Sequence, residues 1–261
     1  MNTAAPTAAP TAATAAPVAL VTGAAAGLGL AIASELHAAG HRVLLTDRDA
    51  AAAQAAAAAL DASGRTARGL ALDVLHKAHF EAALAHLHEG GWGTPRVLVN
   101  NAALTLTTPV MQISPEEFSR VSDVNLRGCF LACQVLGAAM AAAGFGRIVN
   151  VASLAGQNGG TASGAHYAAS KAGILALTKV FARALAGQGV TVNAVAPGPL
   201  DLPSVHAMVP ADRLAQIVQT IPVQRLGDAR FIARAVLLLA DEAAASVTGA
   251  AWDLNGGLFM R

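Results

Sequence analysis

Charge is scarce in this chain. Asp, Glu, Lys and Arg make up 13% of its 261 residues and nearly cancel, leaving +1 at pH 7. No broad basic field exists to draw in nucleic acid or an anionic membrane surface, so neither is expected as a partner. Aromatics are scarcer still at 4%, with one tyrosine. Only two cysteines occur, Cys129 and Cys133, four residues apart in a helical-looking stretch. A metal site would need further ligands at suitable spacing. Both therefore read as small core residues, in keeping with a reducing cytoplasm. Long unbroken hydrophobic runs are lacking too. Gly23, Gly27 and Gly29 interrupt residues 19–34. Residues 128–146 are uncharged and close to spanning length, but they are mostly Ala and Gly, contain Gln134 and lead into a strand-like segment. A buried helix is the better expectation there. No positively charged segment precedes the first apolar run, so no secretory signal is expected.

Apolar side chains, by contrast, are abundant at 54%, enough for a large core and the opposite of a disordered composition. Residues 1–17 stand apart as a low-complexity Ala/Thr/Pro tail with no core-forming pattern, expected to be flexible. From Val18 onward the chain alternates. Short β-branched runs at 18–22, 42–46, 69–72, 96–100, 147–151, 190–196 and 251–254 are separated by longer Ala- and Leu-rich segments. That alternation predicts an α/β fold: one doubly wound, Rossmann-type parallel sheet with helices on both faces, in a single domain over 18–261. Ser114-Pro115-Glu116-Glu117 marks one helix start, with an N-cap, Pro in the first turn and Glu three residues after the cap.

Thr22-Gly23-Ala24-Ala25-Ala26-Gly27-Leu28-Gly29 follows the first strand and opens a helix. Its glycines allow a tight turn and close approach of a pyrophosphate, and the helix N-terminus offers free N–H groups to the anion. Asp47, ending the second strand, can accept hydrogen bonds from both ribose hydroxyls and would repel a 2′-phosphate. NAD is therefore the expected cofactor, although Arg48 alongside could reach a phosphate. Asp73, after the third strand, could face the adenine pocket or cap a helix.

The sole tyrosine, Tyr167, and one of three lysines, Lys171, form Tyr-Ala-Ala-Ser-Lys. At i and i+4 they share one helix face. A free phenol, with a pKa of about 10, is a poor base at neutral pH, and a neighbouring ammonium favours the phenolate. Such a phenol could exchange the alcohol proton as hydride moves. Ser153 ends the strand at 147–151, where ligands of a parallel sheet bind, and could hydrogen-bond a substrate oxygen.

These residues together resemble the short-chain dehydrogenase/reductase family over essentially all of 18–261. The matching set is Thr22-Gly23-x3-Gly27-x-Gly29, Asp73-Val74, Asn100-Asn101-Ala102, Asn125, Ser153, Tyr167-x3-Lys171 and Pro197-Gly198. The resemblance implies that Tyr167 is the acid/base, that Ser153 orients the substrate, and that Lys171 binds the nicotinamide ribose and tunes Tyr167. It implies that Asn125 holds a relay water behind Lys171. Asn100 and Ala102 would line the cofactor, Pro197-Gly198 would flank the nicotinamide, and Leu28, Val74 and Leu200 complete the expected cofactor set. Three departures stand out. Ala103 replaces a frequent Gly. Leu202 stands where many members carry a Thr, with Ser204 a substitute. The spacing from Ser153 to Tyr167, containing four glycines, is slightly long.

By the same resemblance, residues 199–222 form a lid over the substrate. Leu200, Leu202, Val205, Met208 and Val209 make it mostly apolar, with His206 and Arg213 as polar outliers. The ending Asp253-Leu254-Asn255-Gly256-Gly257 is similar to bacterial 3-oxoacyl-thioester reductases. Those commonly use NADPH, so the substrate and cofactor signals pull apart. The expected function is NAD(H)-dependent interconversion of a small secondary alcohol and ketone, with a 3-oxoacyl or 3-hydroxyacyl compound as the leading substrate. The alternatives are a polyol or sugar dehydrogenase and a non-catalytic dinucleotide sensor on the same fold. The resemblance also implies a homotetramer or homodimer paired through the helices carrying Asn125 and Tyr167. His76, His79, His86 and His88 lie on a helical pattern without a matching Cys or Asp cluster, so no metal is expected.

Overall fold

The computed structural model describes residues 16–160 and 163–261. Seven strands form one sheet: β1 (Val18–Thr22), β2 (Arg42–Asp47), β3 (Ala67–Ala71), β4 (Val97–Asn100), β5 (Gly146–Val151), β6 (Val190–Pro197) and β7 (Ala251–Leu254). Their order is β3-β2-β1-β4-β5-β6-β7, and every pair is parallel. Each expected run forms a strand; the largest difference is at β3, which starts at Ala67 rather than Gly69.

Parallel neighbours need crossovers, and helices supply them. They are α1 (Gly27–Ala38), α2 (Ala50–Leu60), α3 (Lys77–Glu89), α4 (Pro115–Ser122), α5 (Gly128–Ala142), α6 (Ala155–Asn158), α7 (Ala165–Leu185), α8 (Pro203–Met208), α9 (Ala211–Thr220) and α10 (Ala229–Ala240). Leu20, Leu44, Leu98, Ile148 and Val192 pack with Phe80 and Leu87 of α3, Leu136 and Met140 of α5 and Ile174 of α7. The intervening Val21, Val43, Leu45, Val97, Val99, Val149 and Val195 pack with Ile32 and Leu36 of α1 and Ile232, Val236 and Leu239 of α10. Both sheet faces are thus covered, which is why the strands read as continuous apolar runs rather than alternating ones. Burying each Leu or Ile stabilises the fold by about 1.5–3 kcal/mol.

One polar chain crosses the first core. Asn100 Nδ2 donates to Asn150 Oδ1 at 2.8 Å, Asn150 Nδ2 donates to Thr178 Oγ1 at 2.9 Å, and that hydroxyl donates to Ile174 O at 2.8 Å. Fully satisfied in this way, the chain fixes β4, β5 and α7 against one another. Cys129 and Cys133 are buried beside it as free thiols, and a hydrogen bond from Cys129, together with burial, pushes the Cys133 thiol up.

The run Pro115–Ala142 is long and apolar enough to cross a membrane, yet 44% of its most apolar window is buried within this fold. Cys129, Ala132, Cys133, Leu136 and Met140 belong to the core there. Ser114 caps α4 as expected, accepting from Glu117 N–H at 3.1 Å, but the Glu117 carboxylate turns to His166 at 2.7 Å. Most of the expected tail lies outside the described residues. Its last two residues are tied to β2: Pro17 O accepts from Arg42 N–H at 2.9 Å, and the Arg42 guanidinium donates to Ala16 O at 3.4 Å.

Candidate active site

β1 has β2 on one side and β4 on the other, so the order in which successive strands are laid down reverses at it. In open parallel sheets the crevice at the carboxyl ends of such strands binds ligands. A cavity of about 480 Å³ opens there. The glycine turn shapes one wall. Gly23 has a φ of 62°, and a Cβ there would lie 2.8 Å from Ala102 Cα; a Cβ on Gly29 would lie 2.1 Å from Gly23 O. Only glycine meets both demands. Asn101 locks the turn, its Nδ2 donating to Thr22 O at 3.0 Å and Gly23 O at 2.9 Å. Thr22 Oγ1 in turn accepts from the Asn101 and Ala102 N–H groups.

The first turn of α1 carries no side-chain cap and no acidic residue. Its N–H groups and positive dipole end are therefore available to an anion. Asp47 lines the same cavity, accepting from Asp49 N–H at 3.2 Å and more weakly from Ala25 N–H at 3.4 Å. Lys171 also lines it. A carboxylate, an anion-binding turn and an ammonium along one cleft fit a dinucleotide.

Of the residues expected to bind it, Gly23, Leu28, Asp47, Ala102, Tyr167, Lys171, Pro197, Gly198 and Leu200 line this cavity. Gly27 and Gly29 shape the turn behind it. Asn100 does not line it, because its amide is committed to Asn150 and to Cys133 Sγ in the core. Asn101 lines the cavity instead. Successive strand residues face opposite sides of a sheet, so a one-residue step exchanges a core contact for a cavity contact. Asp73 and Val74 also lie outside the lining. Asp73 Oδ1 accepts from Leu75 N–H at 3.0 Å, holding a turn before α3, and Val74 is buried where Gly128 leaves room for it.

Tyr167 and Lys171 sit one turn apart on α7, with Lys171 Nζ 5.6 Å from the centre of the phenol ring. Lys171 is 2% exposed, and its ammonium donates to Val151 O at 2.7 Å. Ser153 follows β5; its Oγ accepts from Ala155 N–H at 3.1 Å, which leaves its own hydrogen for another acceptor. Asn125 occupies a π-helical turn, Asp123–Arg127, between α4 and α5. Its Oδ1 accepts from Leu104 N–H at 2.7 Å, and its Nδ2 donates to Leu104 O at 3.1 Å and Ser170 Oγ at 3.0 Å. Both amide hydrogens are committed, so this side chain ties the loop after β4 to α7.

A smaller cavity of about 200 Å³ adjoins the first and shares Ser153, Tyr167, Pro197 and Gly198 with it. Leu154, Val205, Val209, Leu214 and Ile217 make its walls apolar. The expected lid is formed by α8 and α9. Leu202 and Ser204 both line the larger cavity, His206 pairs with Asp201 at the surface at 2.7 Å, and Arg213 borders an outer groove with Thr107 and Thr108. The Met208 side chain, and residues 161–162 of the loop before Tyr167, lie outside the described residues. Another cavity, of about 490 Å³, between Ile221, Arg225, Phe231 and Asn255, contains none of the expected catalytic side chains. Among the described residues no three His, Cys, Asp or Glu side chains are grouped as metal ligands would be.

Two contributions have no signature in the local sequence. Asn101 is the lock of the glycine turn, and nothing local distinguishes it from the identical Asn100 before it. His166, which precedes Tyr167 in the chain, is fully buried and hydrogen-bonded to Glu117. No sequence spacing joins those two.

Comparison with known proteins agrees with this arrangement. A family model described as "Enoyl-(Acyl carrier protein) reductase" matches residues 23–259. The chain is 39% identical over 243 residues to a 3-oxoacyl-[acyl-carrier-protein] reductase of Pseudomonas aeruginosa, covering 93% of this chain and 97% of the relative. It is 40% identical over 243 residues to the protein of that name from Vibrio cholerae and 38% identical over 245 residues to that from Escherichia coli, with the same coverage.

Proposed function

This chain belongs to the short-chain dehydrogenase/reductase family, and from that membership we propose that it interconverts a 3-oxoacyl-type ketone and its secondary alcohol with NAD(H). The family's chemistry makes it an oxidoreductase of CH–OH and ketone groups that binds a nicotinamide dinucleotide. A nicotinamide dinucleotide held along the larger cavity would supply the hydride chemistry. Ser153 donates its hydroxyl hydrogen to the ketone oxygen. Tyr167 delivers a proton to that oxygen as negative charge grows on it, and takes the proton back in the oxidative direction. Lys171 sets its ammonium beside the phenol and would donate to a ribose hydroxyl of a bound dinucleotide. Asn125 acts from behind, holding the loop after β4 against α7.

The observation that carries this reading is that Ser153 and Tyr167 line both cavities, the long one and the small apolar one. A carbonyl in the small cavity would meet both hydroxyl groups at that junction. Apolar walls suit an acyl chain better than a polyol, and the named activity of the relatives agrees. NAD rather than NADP rests on Asp47 in the cavity wall. The direct experiment follows reduced-nicotinamide absorbance with NADH and NADPH against a panel of 3-oxoacyl thioesters, simple ketones and polyols. Thioester turnover with NADH is the expected result. Turnover confined to polyols would replace the substrate assignment. Tight dinucleotide binding with no turnover at all would make the protein a sensor.

The same reading includes an oligomer, either a homotetramer or a homodimer. Phe130 of α5 and Val180 of α7 are 38% and 51% exposed, and the Phe130 and Phe181 rings lie 5.8 Å apart. Large apolar side chains clustered on a surface favour association. Light scattering at micromolar concentration should give two or four times the chain mass; the mass of a single chain would remove this part of the proposal.

A further inference from the structure

His166 lies in the first turn of α7, one residue before Tyr167, and its side chain is 0% exposed. A backbone N–H can only donate, so the Tyr167 N–H, 2.8 Å from Nδ1, makes that nitrogen the acceptor. In the neutral ring the hydrogen then sits on Nε2, 2.7 Å from Glu117 Oε1. The ring has no slack. A Cβ on Gly164 would come within 2.3 Å of its Cε1. Glu117 belongs to α4, and the Thr108 hydroxyl and His166 hold its carboxyl below the usual carboxylate range. Gly164 N–H also donates to Leu106 O at 2.9 Å. The start of α7 is therefore pinned from two sides, by α4 and by the loop after β4.

We propose that Glu117 and His166 are positioning residues for Tyr167, holding the turn from which its phenol projects and so its distance from Lys171 and Ser153. Neither side chain lines the two cavities, so the pair acts through Tyr167 rather than on substrate. The inference rests on the reading of Tyr167 as the acid/base, and the sole tyrosine of the chain allows the two to be tested apart. Phenol ionisation, followed by near-ultraviolet absorbance, reports Tyr167 alone.

In Glu117→Ala the ring loses its acceptor and the turn its anchor. Displacing the phenol from the Lys171 ammonium should move the midpoint of the phenol absorbance change upward from that of the parent protein. With a turned-over substrate, kcat should fall about tenfold while KM stays within about twofold. Glu117→Gln keeps an oxygen acceptor and should restore both to within about twofold of the parent. His166→Phe, which fills the volume without ring nitrogens, should reproduce the Glu117→Ala shift and serves if that variant fails to fold. An unmoved midpoint in both Glu117→Ala and His166→Phe, or equal losses in Glu117→Ala and Glu117→Gln, overturns the inference. If the parent protein reduces no carbonyl, the dehydrogenase reading fails while the phenol titration still decides this one.

Discussion

Tyr167→Phe should fold, bind dinucleotide and turn over about a thousandfold more slowly than the parent protein. The substitution removes one oxygen and keeps the ring, so packing at the start of α7 is preserved. What disappears is the proton carrier at the junction of the two cavities. Ser153 survives and can still donate a hydrogen bond to the carbonyl oxygen, but the acid that delivers the proton to that oxygen is gone. No second tyrosine exists in the chain to substitute. A thousandfold loss corresponds to about 4 kcal/mol of transition-state stabilisation, within reach of one positioned acid. Steady-state kinetics with a thermal midpoint on the same sample would check it. Full activity in a folded Tyr167→Phe protein would end the proton-transfer role.

Asp47→Ser should lower the preference for NADH over NADPH about a hundredfold, measured as the ratio of the two kcat/KM values. Two effects add. From the cavity wall the carboxylate would accept from ribose hydroxyls of a bound dinucleotide, and charge-assisted bonds of that kind contribute about 1.5–3 kcal/mol. Its charge also repels a 2′-phosphate, and that repulsion disappears in the variant. Asp47 forms no ion pair with a Lys, Arg or His among the described residues, so its charge is not neutralised locally. Arg48, exposed next to it, would then be free to meet the phosphate. A parent protein that already favours NADPH, or a ratio unmoved by the substitution, would show that this carboxylate does not choose the cofactor.

The glycine turn, Asp47, Ser153 and the Tyr167–Lys171 pair were legible because each belongs to a local rule. Turns demand glycine, strand ends face ligands in parallel sheets, and four residues make one helical turn. All of them line one cavity or shape its wall. Asn100 shows where local rules stop. It and Asn101 are adjacent and chemically identical, and only the sheet decides which faces the core. The Glu117–His166 bond was illegible for a similar reason: 49 residues separate the partners. Ser114-x-x-Glu117 even predicts a local use for that carboxylate. The buried imidazole displaces it because an unpaired ring N–H inside the protein costs more than an open bond at a solvent-exposed helix start.

By itself, the sequence determined the alternation of strands and helices, the expectation of a parallel sheet, and the chemistry on offer: one phenol, one ammonium one turn away, a hydroxyl, and an anion-binding turn. Those follow from periodicity and residue type, which act over a few residues. Tertiary structure alone decided that the groups share a cleft, that Asn101 rather than Asn100 faces it, and that Asn125 and His166 bond to partners far along the chain. Such outcomes depend on which surfaces meet once both sheet faces are covered, a matter of long-range packing that no short window of residues encodes.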